Sequence, residues 1–325
     1  MALKRLSIRP APAFKCGGRA VFVLSWLLIG LLYAPVALAA CDGRLISRDI
    51  LNAPVCVPQE PQRIISLDPL LSLGILFELD VPVIGTPLVG IQETSIRAAA
   101  DRAAVTDLGH PFQPSLERII ALQPDLIIGS SYLHAELYDQ AARIAPTLLI
   151  DHMDWKSHYL LLAEITGKTA IATRKIGEYQ KRAASIRQRV SQQEVSVVRV
   201  APMGFRVYLD GPAAYAPYAV LSEAGVTRTP YETTADNSIV KRPDWEELGA
   251  LDGEILLYVV FSGLDPANDD DLEAATLANP LWQALPAVKA GRAYRIDRAT
   301  WMGFHGIASA HSVLDTIEKY IPMAP

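Results

Sequence analysis

The chain has 325 residues, half of them apolar and a fifth charged, with 30 basic residues against 35 acidic ones. That composition excludes a disordered or fibrous protein and is enough for two modest globular domains. No long like-charge run or low-complexity tract is present, so nothing suggests a nucleic-acid-binding tail.

Residues 1–40 read as a signal peptide. Lys4, Arg5, Arg9, Lys15 and Arg19 form a basic start without an acid, residues 20–34 are an uncharged apolar core, and Pro35 breaks it. Ala37-Leu38-Ala39 then offers a small-residue cleavage site. A retained anchor is the competing reading, but residues 20–40 are barely long enough to span a bilayer. Cleavage puts the mature start near Ala40, outside the cytoplasm. Without the leader, 25 basic residues face 35 acidic ones, which argues against nucleic acid and anionic lipid as partners. Cys16 leaves with the leader. Cys41 and Cys56 remain, an even count in an oxidising compartment, which suits a disulfide worth roughly 3 kcal/mol at most. Residues 38–41 (LAAC) also fit a bacterial lipobox, in which Cys41 carries lipid. One sulfur cannot do both, and the disulfide is favoured because lipidation leaves Cys56 a free thiol.

Residues 63–67 (RIISL) form a short β-type run, 70–79 a helix, 83–85 a second strand and 91–104 a polar mixture of helix and loop. Ser115 caps a helix that Pro124 ends, and residues 126–129 are an apolar strand without alternation, the pattern of a parallel sheet covered on both faces. Residues 135–144 are helical, 147–150 a strand, and 155–166 a helix up to Gly167. Strands alternating with helices predict βαβ units. Residues 169–193 contain no proline, and Ala172, Ile176, Tyr179, Ala183, Ile186 and Val190 recur on one stripe. Twenty-five helical residues give a rod of about 37 Å, long enough to connect two lobes. Beyond it, residues 195–200 and 205–209 are strands, 219–224 a helix and 236–242 a polar loop. Asp244 caps a helix with Glu247 in a capping-box position. Residues 255–261 form a buried strand, 272–285 carry helical turns, 293–296 are the last strand, 301–306 a loop and 307–321 the closing helix.

One phrase occurs twice. Residues 115–129 (SLERIIALQPDLIIG) are echoed at 244–258 (DWEELGALDGEILLY), with Glu117 on Glu246, Ala121 on Ala250 and Leu122 on Leu251. Each copy reads as a capped short helix, a turn and a buried strand, one in each lobe. The expected fold is α/β: a lobe over 41–167, a connecting helix over 168–193 and a second lobe over 194–325, with mostly parallel sheets.

The segments VPQEPQRIISLD at 57–68, SLERIIALQPDLIIG at 115–129, VSVVR at 195–199 and the tryptophan-bearing loop at Trp301 together resemble the periplasmic substrate-binding proteins of ABC importers for iron-siderophores, haem and vitamin B12. The resemblance spans nearly the whole mature chain. It implies two α/β lobes joined by one long helix, a ligand held between them, a periplasmic location and no catalysis. It also implies a glutamate on each lobe that pairs with arginines of the inner-membrane permease, by position Glu117 and Glu246. Either acid alone is as well explained by the helix dipole, and Glu247 competes with Glu246.

Ligands of open α/β sheets bind beyond the carboxyl ends of strands. There the sequence places Tyr132, His152 and Trp155 in the first lobe, and Arg199, Arg206, Tyr208, Tyr215, Trp301 and His305 in the second. Arginine supplies planar charged donors to chelating oxygens, and Tyr and Trp supply flat faces. A lone Tyr or Trp is more often core than site, Arg199 is also compatible with an internal ion pair and Arg206 with a solvated strand face, whereas Trp301, in a glycine-flanked loop (TWMGFHG), suits a ligand wall better than a core anchor. The expected ligand is a Fe(III)-siderophore complex, with no intrinsic cofactor and no protein-bound metal; the protein is expected to be a monomer. A haem or cobalamin binder of the same fold, with Tyr132, Tyr208 or His305 as haem ligands, is the alternative. The six histidines form no metal-ligand cluster. An exported α/β enzyme is a rival from another class, although no nucleophile elbow, Walker loop, Gly-x-Gly-x-x-Gly or HExxH pattern occurs. A periplasmic iron-uptake chaperone or sensor is a third.

Overall fold

The structure, a computed structural model, describes residues 41–89, 91, 94–151, 153–263 and 266–324. The leader at 1–40 and His152 lie outside the described residues. The described chain opens with a small antiparallel hairpin, β1 (Arg44–Ile46) and β2 (Val55–Val57). The Cys41–Cys56 disulfide staples it, with Cα atoms 5.6 Å apart.

The first lobe then alternates strand and helix: β3 (Ile64–Ser66), α1 (Leu73–Glu78), β4 (Val83–Thr86), α2 (Thr94–Arg102) and β5 (Thr106–Asp107). A short hairpin, β6 (Gly109–His110) and β7 (Gln113–Pro114), leads to α3 (Leu116–Leu122) and β8 (Leu126–Ser130). Broken helical turns α4 (Ser131–His134) and α5 (Tyr138–Ala141) precede β9 (Thr147–Ile150). The five-stranded sheet runs β5-β4-β3-β8-β9 and every pairing in it is parallel. Two helices follow, α6 (Trp155–Thr166) and α7 (Thr169–Arg187).

The second lobe comprises β10 (Glu194–Ala201), β11 (Gly204–Tyr208), α8 (Ala216–Glu223), β12 (Thr227–Arg228) and β13 (Val240–Lys241). It continues with β14 (Ile255–Val260), α9 (Asp269–Leu277), α10 (Pro280–Gln283), α11 (Pro286–Lys289), β15 (Ala293–Arg295), α12 (Arg298–Met302) and α13 (Ile307–Tyr320). Its six-stranded sheet runs β13-β11-β10-β14-β15, with β12 also on β10. The β12-β10-β14-β15 pairings are parallel, and β11 and β13 are antiparallel additions.

The repeated phrase is visible in both lobes. Ser115 accepts the Arg118 N–H at 3.3 Å and opens α3; Asp244 accepts those of Glu246 and Glu247, both at 2.9 Å. The strands that follow, β8 and β14, are interior members of their sheets. Their unbroken apolar runs have a simple cause. Leu126 and Ile128 face one core and Ile127 another; Ile255, Leu257 and Val259 face the first core, and Leu256, Tyr258 and Val260 a third. A strand covered on both faces has no position left for a polar residue. The second copy differs in that its helix is only a 3-10 turn, Glu247–Ala250.

The connecting helix is shorter than its apolar stripe predicts. It has 19 residues, about 28 Å at the usual rise, and ends at Arg187 rather than Gln193. Residues beyond it give their backbone to the C-terminal tail: Ser191 N–H donates to the Pro322 carbonyl, and Ala324 N–H to that of Arg189. Polar backbone groups satisfied by a distant segment have no need of a further helical turn. The stripe itself, Ala172, Ile176, Tyr179, Ala183 and Ile186, is buried as expected. A further difference is β13, which lies inside the segment read as the polar loop 236–242.

One continuous apolar core includes side chains from both sheets and from α1, α6, α7, α8 and α13. Polar contacts reinforce it between the lobes. Glu78, at the end of α1, accepts the N–H groups of Ile307 and Ala308 at 3.0 and 2.8 Å and so caps α13. Burial pushes that carboxyl above its ordinary range, against the two N–H donors. Lys156 on α6 and Tyr179 on α7 both reach Glu223 on α8, at 2.6 and 2.8 Å. Gly74 permits a close approach between the lobes: a β-carbon there would lie 2.5 Å from the Cβ of His305.

Candidate functional site

The second sheet carries the candidate cluster. On β10, Val198 and Val200 face the core shared with Leu256, Tyr258 and Val260, so Arg199 between them points to the opposite face. Phe205 and Val207 on β11, and Leu209 just after it, face that same core, which turns Arg206 and Tyr208 toward Arg199. Arg199 and Arg206 are direct partners in the antiparallel register. Arg199 Nη1 donates to the Tyr208 hydroxyl at 3.2 Å, and its Nε is buried without a partner. The Tyr208 ring lies 5.2 Å from Tyr215 and 5.0 Å from Tyr218. Burial pushes the Tyr215 phenol up, and the nearby Tyr208 adds to the shift, so Tyr215 is a neutral hydrogen-bonding wall at any physiological pH.

Two residues that the sequence reading did not single out complete this cluster. Phe261 follows the last residue of β14, and the guanidiniums of Arg199 and Arg298 lie over its ring, 4.3 and 4.1 Å from the centroid. Arg298, the first residue of α12, is held by Asp269 at 2.7 Å and by the Gly263 carbonyl. Asp269 also accepts the Ser262 N–H at 2.7 Å and the Ser262 hydroxyl at 2.5 Å. Burial acts to raise the Asp269 carboxyl, but the Ser262 donors and Arg298 outweigh it and hold the acid below its ordinary value. Phe261 could have been found as the aromatic at the carboxyl end of an apolar strand. Arg298 depends on a partner distant in sequence, and no local signal marks it.

The other sequence-derived candidates fall elsewhere. Trp301 is not in a loop: Asp297 accepts the Thr300 N–H at 2.7 Å and starts α12, and Trp301 is fully buried against Tyr218, ring centroids 5.5 Å apart. It therefore presents no face to a ligand and supports the tyrosine wall from behind. Trp155 is likewise core, packed between Tyr179 and Phe304 with centroids at 5.2 and 5.5 Å. His305 is 8% exposed and sits at the close contact with Gly74. Tyr132 follows β8 in the first lobe and is 88% exposed. The structure thus brings Arg199, Arg206, Tyr208 and Tyr215 together and leaves Tyr132, Trp155, Trp301 and His305 outside that cluster.

Glu117 is exposed in the first turn of α3, and Glu246 and Glu247 are both exposed at the 3-10 turn of the second lobe. Next to Glu117, a groove of about 670 Å³ between α3 and α5 is lined by Leu116, Ile120, Pro124, Arg143 and Ile144, among others. Among the described residues, no group of three or more His, Cys, Asp or Glu could hold a metal ion, and no helix is long and apolar enough to cross a membrane.

Comparison with known proteins agrees with this architecture. The chain is 31% identical over 288 residues to the ferric enterobactin-binding periplasmic protein FepB of Escherichia coli O6:H1, covering 80% of this chain and 85% of that one. It is 27% identical over 230 residues to a probable siderophore-binding lipoprotein, YfiY, of Bacillus subtilis, covering 68% and 70%. The fold matches that of Staphylococcus aureus SirA complexed with staphyloferrin B, with a TM-score of 0.67 at 21% identity over 84% of this chain and 96% of SirA. The profile of the periplasmic binding protein family matches residues 64–300. The chain is a two-lobed α/β member of the periplasmic binding protein family.

Proposed function

We propose that this protein captures a ferric siderophore at the face formed by Arg199, Arg206, Tyr208, Tyr215 and Phe261, and delivers it to an ABC permease of the inner membrane without chemistry on the ligand. The observation that carries this reading is the convergence of planar cationic donors and aromatic faces at the rim of the second sheet. A ferric chelate offers flat rings and charged oxygens, and guanidinium and phenol groups match both. The names of the relatives, one a ferric enterobactin-binding protein and one a probable siderophore-binding lipoprotein, support the same ligand class. The ligand lies between a lobe at 41–167 and a lobe at 194–325, with 168–193 as connector, and the iron is cargo.

Titration of the purified mature chain with ferric siderophores, haem and cobalamin, followed by quenching of tryptophan fluorescence, tests the ligand. Trp301 sits behind Tyr218 and reports on the tyrosine wall. Saturable quenching by at least one ferric siderophore is expected, and quenching by haem or cobalamin alone refutes the reading.

Delivery rests on Glu117 and Glu246, surface acids on equivalent turns of the two lobes, which would orient docking on a basic permease surface. The double reversal Glu117→Arg, Glu246→Arg should abolish uptake in cells while leaving ligand affinity intact. Unchanged uptake refutes docking through these acids and favours a chaperone or sensor role. The protein acts as a periplasmic monomer. The Cys41–Cys56 bond supports a soluble form over one lipidated at Cys41.

A further inference from the structure

We infer that the site selects ferric chelates that are multiply anionic, built from catecholate or carboxylate oxygens, over neutral trihydroxamate chelates. This rests on the ferric-siderophore reading above and narrows it to a class. The argument starts from the charges around Phe261. The guanidiniums of Arg199 and Arg298 lie over its ring, Arg206 is the cross-strand partner of Arg199, and the fold treats the three unequally. Arg298 has the buried carboxylate of Asp269 at 2.7 Å. Arg199 and Arg206 have no carboxylate partner among the described residues. Arg199 donates to a phenol, and Arg206 Nη1 donates to the carbonyl of its neighbour Phe205 at 2.8 Å.

Their placement makes the imbalance costly. They sit directly opposite each other on adjacent antiparallel strands, where like charges repel. Both are half-buried, so water screens them less than it screens surface charge. A buried Arg199 Nε without an acceptor adds an unsatisfied donor. Elsewhere in the same lobe the fold does neutralise a buried arginine: Arg228 is paired with Glu232 at 2.6 Å. A pair of arginines left without acids beside one that has its acid is a site awaiting negative charge from outside.

The chemistry of ferric chelates then discriminates between classes. A ferric tris-catecholate is a trianion, and ferric carboxylate complexes are anionic at neutral pH. A ferric trihydroxamate is neutral, because three monoanionic groups cancel the iron charge. Only the first two supply charge to both arginines, and the planar fork of each guanidinium suits paired oxygens. A neutral chelate would leave the repulsion in place and still desolvate both cations.

The experiment measures dissociation constants of the mature chain for ferric enterobactin (a tris-catecholate), ferric citrate (a carboxylate complex) and ferrichrome (a trihydroxamate). At least one anionic chelate should bind about 100-fold or more tightly than ferrichrome. Raising ionic strength from about 0.05 to 0.5 M should weaken that binding about tenfold and leave any ferrichrome binding unchanged. Arg206→Gln should weaken the anionic chelate at least about 30-fold. The same substitution should leave the melting temperature of the ligand-free protein unchanged or raise it, because it removes a repulsion. Ferrichrome binding within threefold of the anionic chelates, an unchanged affinity of Arg206→Gln, or a lowered ligand-free melting temperature overturns the charge argument and leaves the siderophore reading standing. Binding of none of the three chelates overturns the siderophore reading itself, and the class with it.

Discussion

Replacing Glu232 with leucine should unfold the second lobe far more readily than its position outside the candidate site suggests. The side chain fills a gap in the sheet. Strand β10 is flanked on one side by β14, but its other side pairs with β12 only at residues 194–195 and with β11 only at residues 199–201. Between them the Val197 N–H has no strand partner, and Glu232 Oε1 accepts it at 2.8 Å. The same oxygen takes Arg228 Nη2 at 2.6 Å, Oε2 takes the Thr229 hydroxyl at 3.1 Å, and Arg228 Nε returns to the Val195 carbonyl at 3.1 Å. The two side chains are 1% and 0% exposed. Removing one member leaves a buried charge without its partner, a cost of about 3–5 kcal/mol. For a body of this size that is about 10 °C in melting temperature. Urea unfolding followed by tryptophan emission suits the test, because Trp245, Trp282 and Trp301 all belong to this lobe. Glu232→Leu and Arg228→Met should each lose about 3–5 kcal/mol, whereas the double substitution should recover most of it, because apolar pairs often replace buried ion pairs without loss. Single losses under about 1 kcal/mol, or a double variant as weak as the worse single, would refute this account of the gap.

Cys41→Ser with Cys56→Ser should cost roughly 3 kcal/mol, since the closed loop spans 15 residues; in the parent the intact mass without reductant should lack two hydrogen atoms and carry no lipid, and a lipidated Cys41 with a free Cys56 thiol would refute the bridge. Glu78→Ala removes both acceptors that cap α13 and should lower stability by about 1–2 kcal/mol in urea melts, with an unchanged midpoint as the contrary result. The Asp269 carboxyl is held below its ordinary 3.8, so its stabilisation is present above that pH and is lost as pH falls through the lower folded value. Asp269→Asn should therefore be less stable than the parent at pH 7, and the gap should close in acid; a gap independent of pH contradicts the pairing with Arg298.

What could be read from sequence was what local chemistry decides. The helix over 155–166 has the limits its residues predict because Asp154 accepts the Lys156 and Ser157 N–H groups and Gly167 takes the left-handed conformation at its end. The strands after each copy of the repeated phrase were legible because apolar residues at consecutive positions have no other stable place. The misreadings share a different cause. The connecting helix stops early because residues 189–191 pair with a tail more than a hundred positions away, although their own pattern continues the stripe. Trp301 looked like a loop residue because Gly303 and Gly306 follow it closely; the Asp297 cap and the distant Tyr218 make it helical and buried. Arg199 and Arg206 were legible as charges on strands, but their opposition is a matter of register, which depends on the β10–β11 turn and on which face each strand buries.

The cluster and the core behind it together constrain how the protein moves. A ligand that neutralises Arg199 and Arg206 relieves repulsion within one lobe, and this requires no rearrangement of the other. Large closure about a loop hinge would have to break the Glu78 cap on α13, the Trp155–Phe304 contact and the Lys156–Glu223 pair, and reopen an apolar core shared by both sheets. The first alone is worth about 1–2 kcal/mol, and exposing core side chains costs about 25 cal/mol for each Å² uncovered. Binding energy directed at two arginines would be largely consumed by such a motion. Rocking of a few degrees about α7, with the contacts intact, is the motion these contacts permit. Small-angle scattering of the free and ferric-chelate-bound protein should therefore give closely similar radii of gyration. A compaction of several per cent would mean that the inter-lobe contacts do not persist in the free protein, and that the site is assembled by closure rather than held ready on the second sheet.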